Sequence, residues 1–103
     1  MKIAQVSPLA EPVPPIGYGG TERIVAYLSD ELIRRGHAVT LFASGDSKTN
    51  GRLIAGSERA LRLDSSIVDP QAHETFQLAQ VLQEADTFDI IHFHTGYSHF
   101  PIF

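Results

Sequence analysis

No cysteine occurs anywhere in the sequence, so neither a disulfide framework nor a thiolate metal site is available to it. That absence accords with a reducing compartment. Basic residues are few and scattered: 8 Lys and Arg face 12 Asp and Glu, for a formal net charge of -4. Such a balance argues against nucleic-acid binding through a basic face and against docking on an anionic membrane. Long apolar runs are missing as well. Nothing approaches the roughly 20 residues of a membrane-spanning helix. The opening Met1-Lys2-Ile3-Ala4-Gln5-Val6 meets Pro8 and Glu11 too soon for a signal-peptide core. Internal repeats and low-complexity tracts are absent too. A soluble, cytoplasmic protein without stable membrane insertion is the expectation.

What is present fits one domain with one modest core: 103 residues, 43% of them hydrophobic and 19% charged. Lys2 to Ser7 reads as a short buried strand stopped by Pro8. Leu9 to Gly20 is too rich in Pro and Gly for a helix or a central strand and reads as a long loop, the first suspect for function. From Thr21 the period becomes helical, with an apolar stripe of Ile24, Val25, Leu28, Leu32 and Ile33. Glu22 in the first turn and Arg34 and Arg35 in the last suit the helix dipole, and Gly36 supplies the stop. Ala38 to Ala43 reads as a second buried strand, completing a right-handed βαβ unit.

Ser44 to about Leu61 carries no firm element. Asp69-Pro70 then marks a helix start, with Phe76, Leu78, Ala79, Val81, Leu82 and Ala85 as its apolar face. Phe88 to His94 reads as another strand. Strands alternating with helices give an α/β class, a largely parallel sheet with helices on both faces. The end at Phe100-Pro101-Ile102-Phe103 is bare and apolar and calls for a cover. Truncation, and self-association through this segment or an open sheet edge, are expected.

The segment Ile16-Gly17-Tyr18-Gly19-Gly20-Thr21-Glu22 joins a first parallel strand to a helix start. A helix N-terminus offers unpaired N–H groups and partial positive charge, and glycine lets a phosphate approach the backbone. The place also suits a ligand, at the carboxyl end of a strand. The dinucleotide fingerprint fails, since its third glycine position holds Glu22, and no P-loop occurs around Gly45-Asp46-Ser47-Lys48-Thr49. A simple helix cap after a flexible loop explains the same glycines equally well.

Gly19-Gly20-Thr21-Glu22-Arg23, followed by Leu28, Leu32 and Arg35-Gly36-His37-Ala38-Val39-Thr40-Leu41-Phe42, resembles the N-terminus of glycosyltransferase family 4. Asp89-Ile90-Ile91-His92-Phe93-His94 resembles that family's later "D-I-I-H-x-H" strand. These segments cover about half the chain in the family's order. The resemblance implies a GT-B fold, of which residues 1–103 would be an incomplete N-terminal Rossmann-like domain. Later strands, a further histidine and the nucleotide-sugar-binding second domain would lie beyond Phe103. It implies retaining transfer from a nucleotide-sugar donor to an acceptor, with no cofactor and no obligatory metal, and an inactive isolated chain. Gly19 and Gly20 would contact the donor diphosphate, with Thr21 and Glu22 in support, and the loop from Leu9 to Tyr18 would border the acceptor.

His92 and His94 alternate along a strand and should share a face. With His99 they invite a metal reading, yet no acidic ligand accompanies them. His94, at the strand's carboxyl end, is the candidate cleft residue; His92 and His37 are read as structural. Asp46 reads as a turn residue, and Tyr18 and Tyr97 are cleft candidates by position alone. No nucleophile–base pair is evident. The same loop also permits a stand-alone, non-catalytic nucleotide- or phosphate-binding module. A nicotinamide oxidoreductase is disfavoured by the missing third glycine.

Overall fold

The computed structural model describes residues 1–103. Its elements run β1 (Lys2–Val6), α1 (Gly20–Arg34), β2 (Ala38–Ser44), β3 (Arg52–Ser57), α2 (Pro70–Glu84) and β4 (Ile90–Phe93), with 3-10 turns at Leu61–Leu63 and Ala85–Thr87. The four strands form one parallel sheet in the order β3-β2-β1-β4. The period of two along β2 assigns its side chains to opposite layers. Leu41 and Ala43 pack with Val25 and Ala26 of α1, while Phe42 joins Ala4, Val6 and Val81 on the α2 side. Helices therefore cover both faces, as the alternation of elements implied. No helix is long and apolar enough to cross a membrane.

Local chemistry sets the helix ends. Gly36, at φ 92°, closes α1: its N–H donates to Ile33 O and the N–H of His37 to Leu32 O, the paired bonds of a Schellman cap. Asp69 opens α2, its carboxylate accepting from the Gln71 N–H at 3.1 Å with Pro70 at the first helical position.

Three features differ from the sequence expectations. β3 was not anticipated; its apolar content is only Leu53-Ile54-Ala55 between Arg52 and Gly56, too short to show a period, and it forms at a sheet edge with an irregular register near Ser44. On α1 the buried line is Glu22, Val25, Ala26 and Ser29, whereas Ile24 is 61% exposed. On α2 the buried residues are Gln77 and Val81, with Phe76 and Leu82 left more than half exposed. Gln77 takes that place because its Nε2 donates to Ser7 O at 3.0 Å and Phe42 O at 3.2 Å, at the carboxyl ends of β1 and β2.

The loop from Ser7 to Gly19 is fastened rather than loose. Leu9 and Val13 are buried, Leu61 N donates to Leu9 O, and Val13 exchanges bonds with Ser47 Oγ and Lys48 N. Arg62 pairs with the buried Glu11 at 2.9 Å. Both sheet edges stay open, and Ile90, Phe100, Ile102 and Phe103 are exposed. The C-terminal residues nevertheless turn back, bringing the Phe103 ring to 5.2 Å from Phe93.

Candidate functional site

The parallel pairing of β1 with β4 sets their carboxyl ends side by side, and the His94 N–H continues the ladder to Val6 O at 2.9 Å. From that end the fastened loop delivers the start of α1. The two glycines there do different things. Gly19 sits at φ 142°, ψ 69°, a backbone conformation that L side chains rarely adopt. A Cβ on it would lie 2.9 Å from Pro15 Cβ and 3.2 Å from both Glu11 Cγ and Glu22 Oε1. Gly20 is exposed, and a Cβ there would meet nothing within 4 Å.

The first intrahelical bond runs from Arg23 N to Gly19 O, and no side chain caps the helix. The N–H groups of Gly20, Thr21 and Glu22 thus donate to no protein acceptor. Unpaired donors at the positive end of a 15-residue helix are the groups that an anion can satisfy. Arg23 steadies the loop through Nη2 donating to Gly17 O at 2.7 Å. Thr21 is exposed beside the open amides, whereas Glu22 is 5% exposed and packs against Gly19. The first-turn acid is therefore part of the loop's packing rather than a solvated dipole partner.

His94 does follow β4 at its carboxyl end. Its Nε2–H donates to Gln5 Oε1 at 2.6 Å, which fixes the tautomer. Burial, with the neighbouring His92 ring 4.0 Å away adding to it, pushes the His94 pKa down to about 4. The ring is neutral at pH 7. His94 lines a cavity of about 180 Å³ together with Pro8 and Gln77, and neither Gly19 nor Gly20 is among the lining residues. The glycine loop and His94 thus lie apart at the same end of the sheet: His94 lines the cavity, and Gly20 is open to solvent.

His92 shares the His94 face, as the strand period required, but His99 stacks on Phe93 (3.9 Å, 8°), on the opposite face. No group of three or more His, Asp or Glu side chains is arranged to hold a metal ion. Asp46 ties turns together, accepting from Ser44 Oγ at 2.5 Å and from Ala60 N at 3.1 Å. Tyr18 and Tyr97 are 88% and 77% exposed. Sequence reasoning missed Gln5 and Gln77. A polar residue between Ala4 and Val6 in a buried strand was a usable signal for Gln5; nothing in the local pattern marked Gln77.

The depressed His94 pKa has a consequence for stability. The unfolded chain binds this proton near pH 6.5 and the folded chain only near 4. The contribution is therefore fully present above about 6.5 and is lost as the pH falls toward 4. Discounted for solvent screening of a half-exposed ring, it amounts to roughly 1 kcal/mol. Unfolding curves at pH 7 and pH 4 should diverge less in His94→Gln than in the parent; equal divergence would remove His94 from the acid response.

The parallel sheet with helices on both faces and a glycine-started helix at its carboxyl end is Rossmann-like. The family model for Glycosyltransferase Family 4 matches residues 18–103, and the chain belongs to that family. It is similar to a solved structure described as AviGT4, a glycosyltransferase involved in avilamycin A biosynthesis, at 32% identity and a TM-score of 0.60. The similarity covers 94% of this chain and 28% of that one, so this chain spans less than a third of that relative's length. No curated protein sequence matches it.

Proposed function

We propose that this chain is the donor-diphosphate side of a glycosyltransferase that moves a sugar from a nucleotide-sugar to an acceptor with retention of configuration. Residues 1–103 are then the first part of an N-terminal Rossmann-like domain whose later strands and second, nucleotide-binding domain complete the cleft. The carrying observation is the trio of unpaired amides at Gly20, Thr21 and Glu22, with open space over Gly20. Family membership supplies the reaction class.

The chemistry asked of this half is electrostatic. As the bond from sugar to diphosphate lengthens, negative charge grows on the leaving phosphate, and fixed N–H dipoles stabilise it without reorganising. Gly20 admits the phosphate oxygens, Thr21 adds a hydroxyl beside them, and Gly19, Glu22 and Glu11 hold the loop. The rest of catalysis is positioning by groups outside this chain. The isolated chain accordingly binds without turnover.

Titration with UDP, GDP and ADP, followed by amide chemical shifts, tests this reading. The expected result is weak, saturable binding with shifts confined to Gly20, Thr21 and Glu22. Tight binding that also perturbs a base pocket in this chain would favour a self-sufficient binding module. An unmoved Gly20 amide at millimolar nucleotide would end the donor-site assignment, and sugar transfer by this chain alone would end the half-site reading.

A further inference from the structure

The bend that leads into β3 joins a side-chain amide to a main-chain nitrogen able to attack it. Asn50 and Gly51 are both exposed and stand immediately before Arg52, the first residue of β3. Asn50 takes part in none of the side-chain hydrogen bonds of the fold. Asparagine is among the thermally labile residues, and a glycine after it leaves the peptide nitrogen unscreened by any β-carbon. Here the glycine is also demanded by packing. A Cβ on Gly51 would lie 2.4 Å from Val39 O, so any side chain there forces the bend and β2 apart. One group restrains the nitrogen: the Gly51 N–H donates to Thr49 Oγ1 at 3.0 Å.

We propose that Asn50 is a site of spontaneous covalent modification, converted by water to aspartyl and isoaspartyl products, with Thr49 as its brake. The Gly51 nitrogen gives up its proton to solvent and attacks Asn50 Cγ. A cyclic imide closes as the new N–Cγ bond forms and the Cγ–Nδ2 bond breaks, and Nδ2 leaves as ammonia. Water then opens the ring. Cleavage of the N–Cγ bond yields aspartate and the original main chain. Cleavage of the bond from that nitrogen to the Asn50 main-chain carbonyl yields isoaspartate, and the chain then runs through Cγ, one methylene longer. The sum is an amide and a water exchanged for a carboxylate and ammonium, with nothing oxidised or reduced.

The two products act differently on the fold. Aspartate adds a carboxylate to a cleft that Lys2 and Arg52 also line, and leaves the register unchanged. Isoaspartate lengthens the main chain where Gly51 presses on Val39 O and where Arg52 begins its pairing with Thr40. Arg52 ties the start of this edge strand to Thr40 Oγ1 at 3.2 Å and to Glu84 of α2 at 2.6 Å. Displacing it loosens β3, which is paired on one side only. None of this depends on the glycosyltransferase reading.

Peptide mapping by mass spectrometry of the whole folded chain, aged in mildly alkaline buffer, tests the assignment, with isoaspartate scored by isoaspartyl methyltransferase labelling. Both acids should accumulate at position 50, and Asn50→Gln should stay unmodified because it must close a larger ring. Thr49→Ala should speed conversion roughly fivefold, the worth of one hydrogen bond, and Thr49→Ser should restore the parent rate. Chain enriched in isoaspartate should unfold at lower urea than fresh chain, whereas Asn50→Asp should match the fresh chain. A folded chain that keeps Asn50 while the urea-unfolded chain loses it would overturn the site. Equal rates in Thr49→Ala and the parent would overturn the brake, and an isoaspartyl chain as stable as the fresh one would overturn the effect on β3.

Discussion

Gly19→Ala is expected to destabilise the chain by roughly 2–4 kcal/mol, while the neighbouring Gly20→Ala changes stability by less than about 0.5 kcal/mol. The two differ because their backbones do. At φ 142° an alanine is strained whatever the space, and its Cβ would lie 2.9 Å from the Pro15 Cβ in a loop fastened at both Leu9 and Val13. Relief would require moving Pro15, the buried Glu11 and Glu22 together. Gly20 begins the helix with open space over its Cα, so alanine fits and even gains helix propensity. On the donor-site proposal, the added methyl group crowds a diphosphate seated at these amides. Nucleoside diphosphate affinity should fall about tenfold or more in Gly20→Ala with the denaturation midpoint unmoved. A Gly20→Ala chain that binds normally would show that the anion does not approach over this glycine, and a stable Gly19→Ala chain would show that the loop relaxes.

The α/β class and the order of its main elements were legible because periodicity and end signals agreed. Pro8 stopped β1, Gly36 closed α1, and Asp69-Pro70 opened α2, each by a local mechanism that needs no tertiary context. β3 was not legible: it exists because β2 offers a hydrogen-bonding edge, and its own six residues include Arg52 and Gly56. The buried faces of the helices were only half legible. Hydrophobic spacing favoured Ile24, Phe76 and Leu82, but a helix crossing the carboxyl end of a sheet meets carbonyls as well as methyl groups, and Gln77 answers the carbonyls.

The site divides in the same way. The glycines announced a helix start at a strand's end, yet which of them was structural and which open depended on Pro15 and Glu11, residues that the chain brings back from earlier in the loop. The placement of His94 followed from its strand, whereas its bond to Gln5 depends on the parallel pairing of β1 with β4 and carries no local signature. His99 looked like a partner of the other two histidines by spacing. The turn after Thr95 takes it to the opposite face, where Phe93 holds it.

Gln77 shows how much stability one such unmarked residue carries. It is 2% exposed, and Ser7 O, in a residue with no exposure, has Gln77 as its hydrogen-bond donor; Phe42 O also receives the N–H of Ser7. Gln77→Leu keeps the volume and removes the donor, leaving Ser7 O desolvated without a partner, at a cost of about 1–3 kcal/mol. Gln77→Glu is expected to be worse, at roughly 3–5 kcal/mol near neutral pH, because a carboxylate would be buried against two carbonyl oxygens that it cannot serve. In that variant the folded chain holds the carboxyl proton more tightly than the unfolded chain does. The penalty is therefore full above the raised folded pKa and shrinks as the pH falls toward the unfolded value near 4.3. Urea unfolding of the parent and both variants between pH 7 and pH 5 checks the argument. The Glu variant alone should recover stability relative to the parent on acidification, since a protonated carboxyl can donate to Ser7 O where leucine cannot. Equal stabilities for all three chains would mean that the ends of β1 and β2 find other donors, and that α2 is held by Val81 and its apolar neighbours instead.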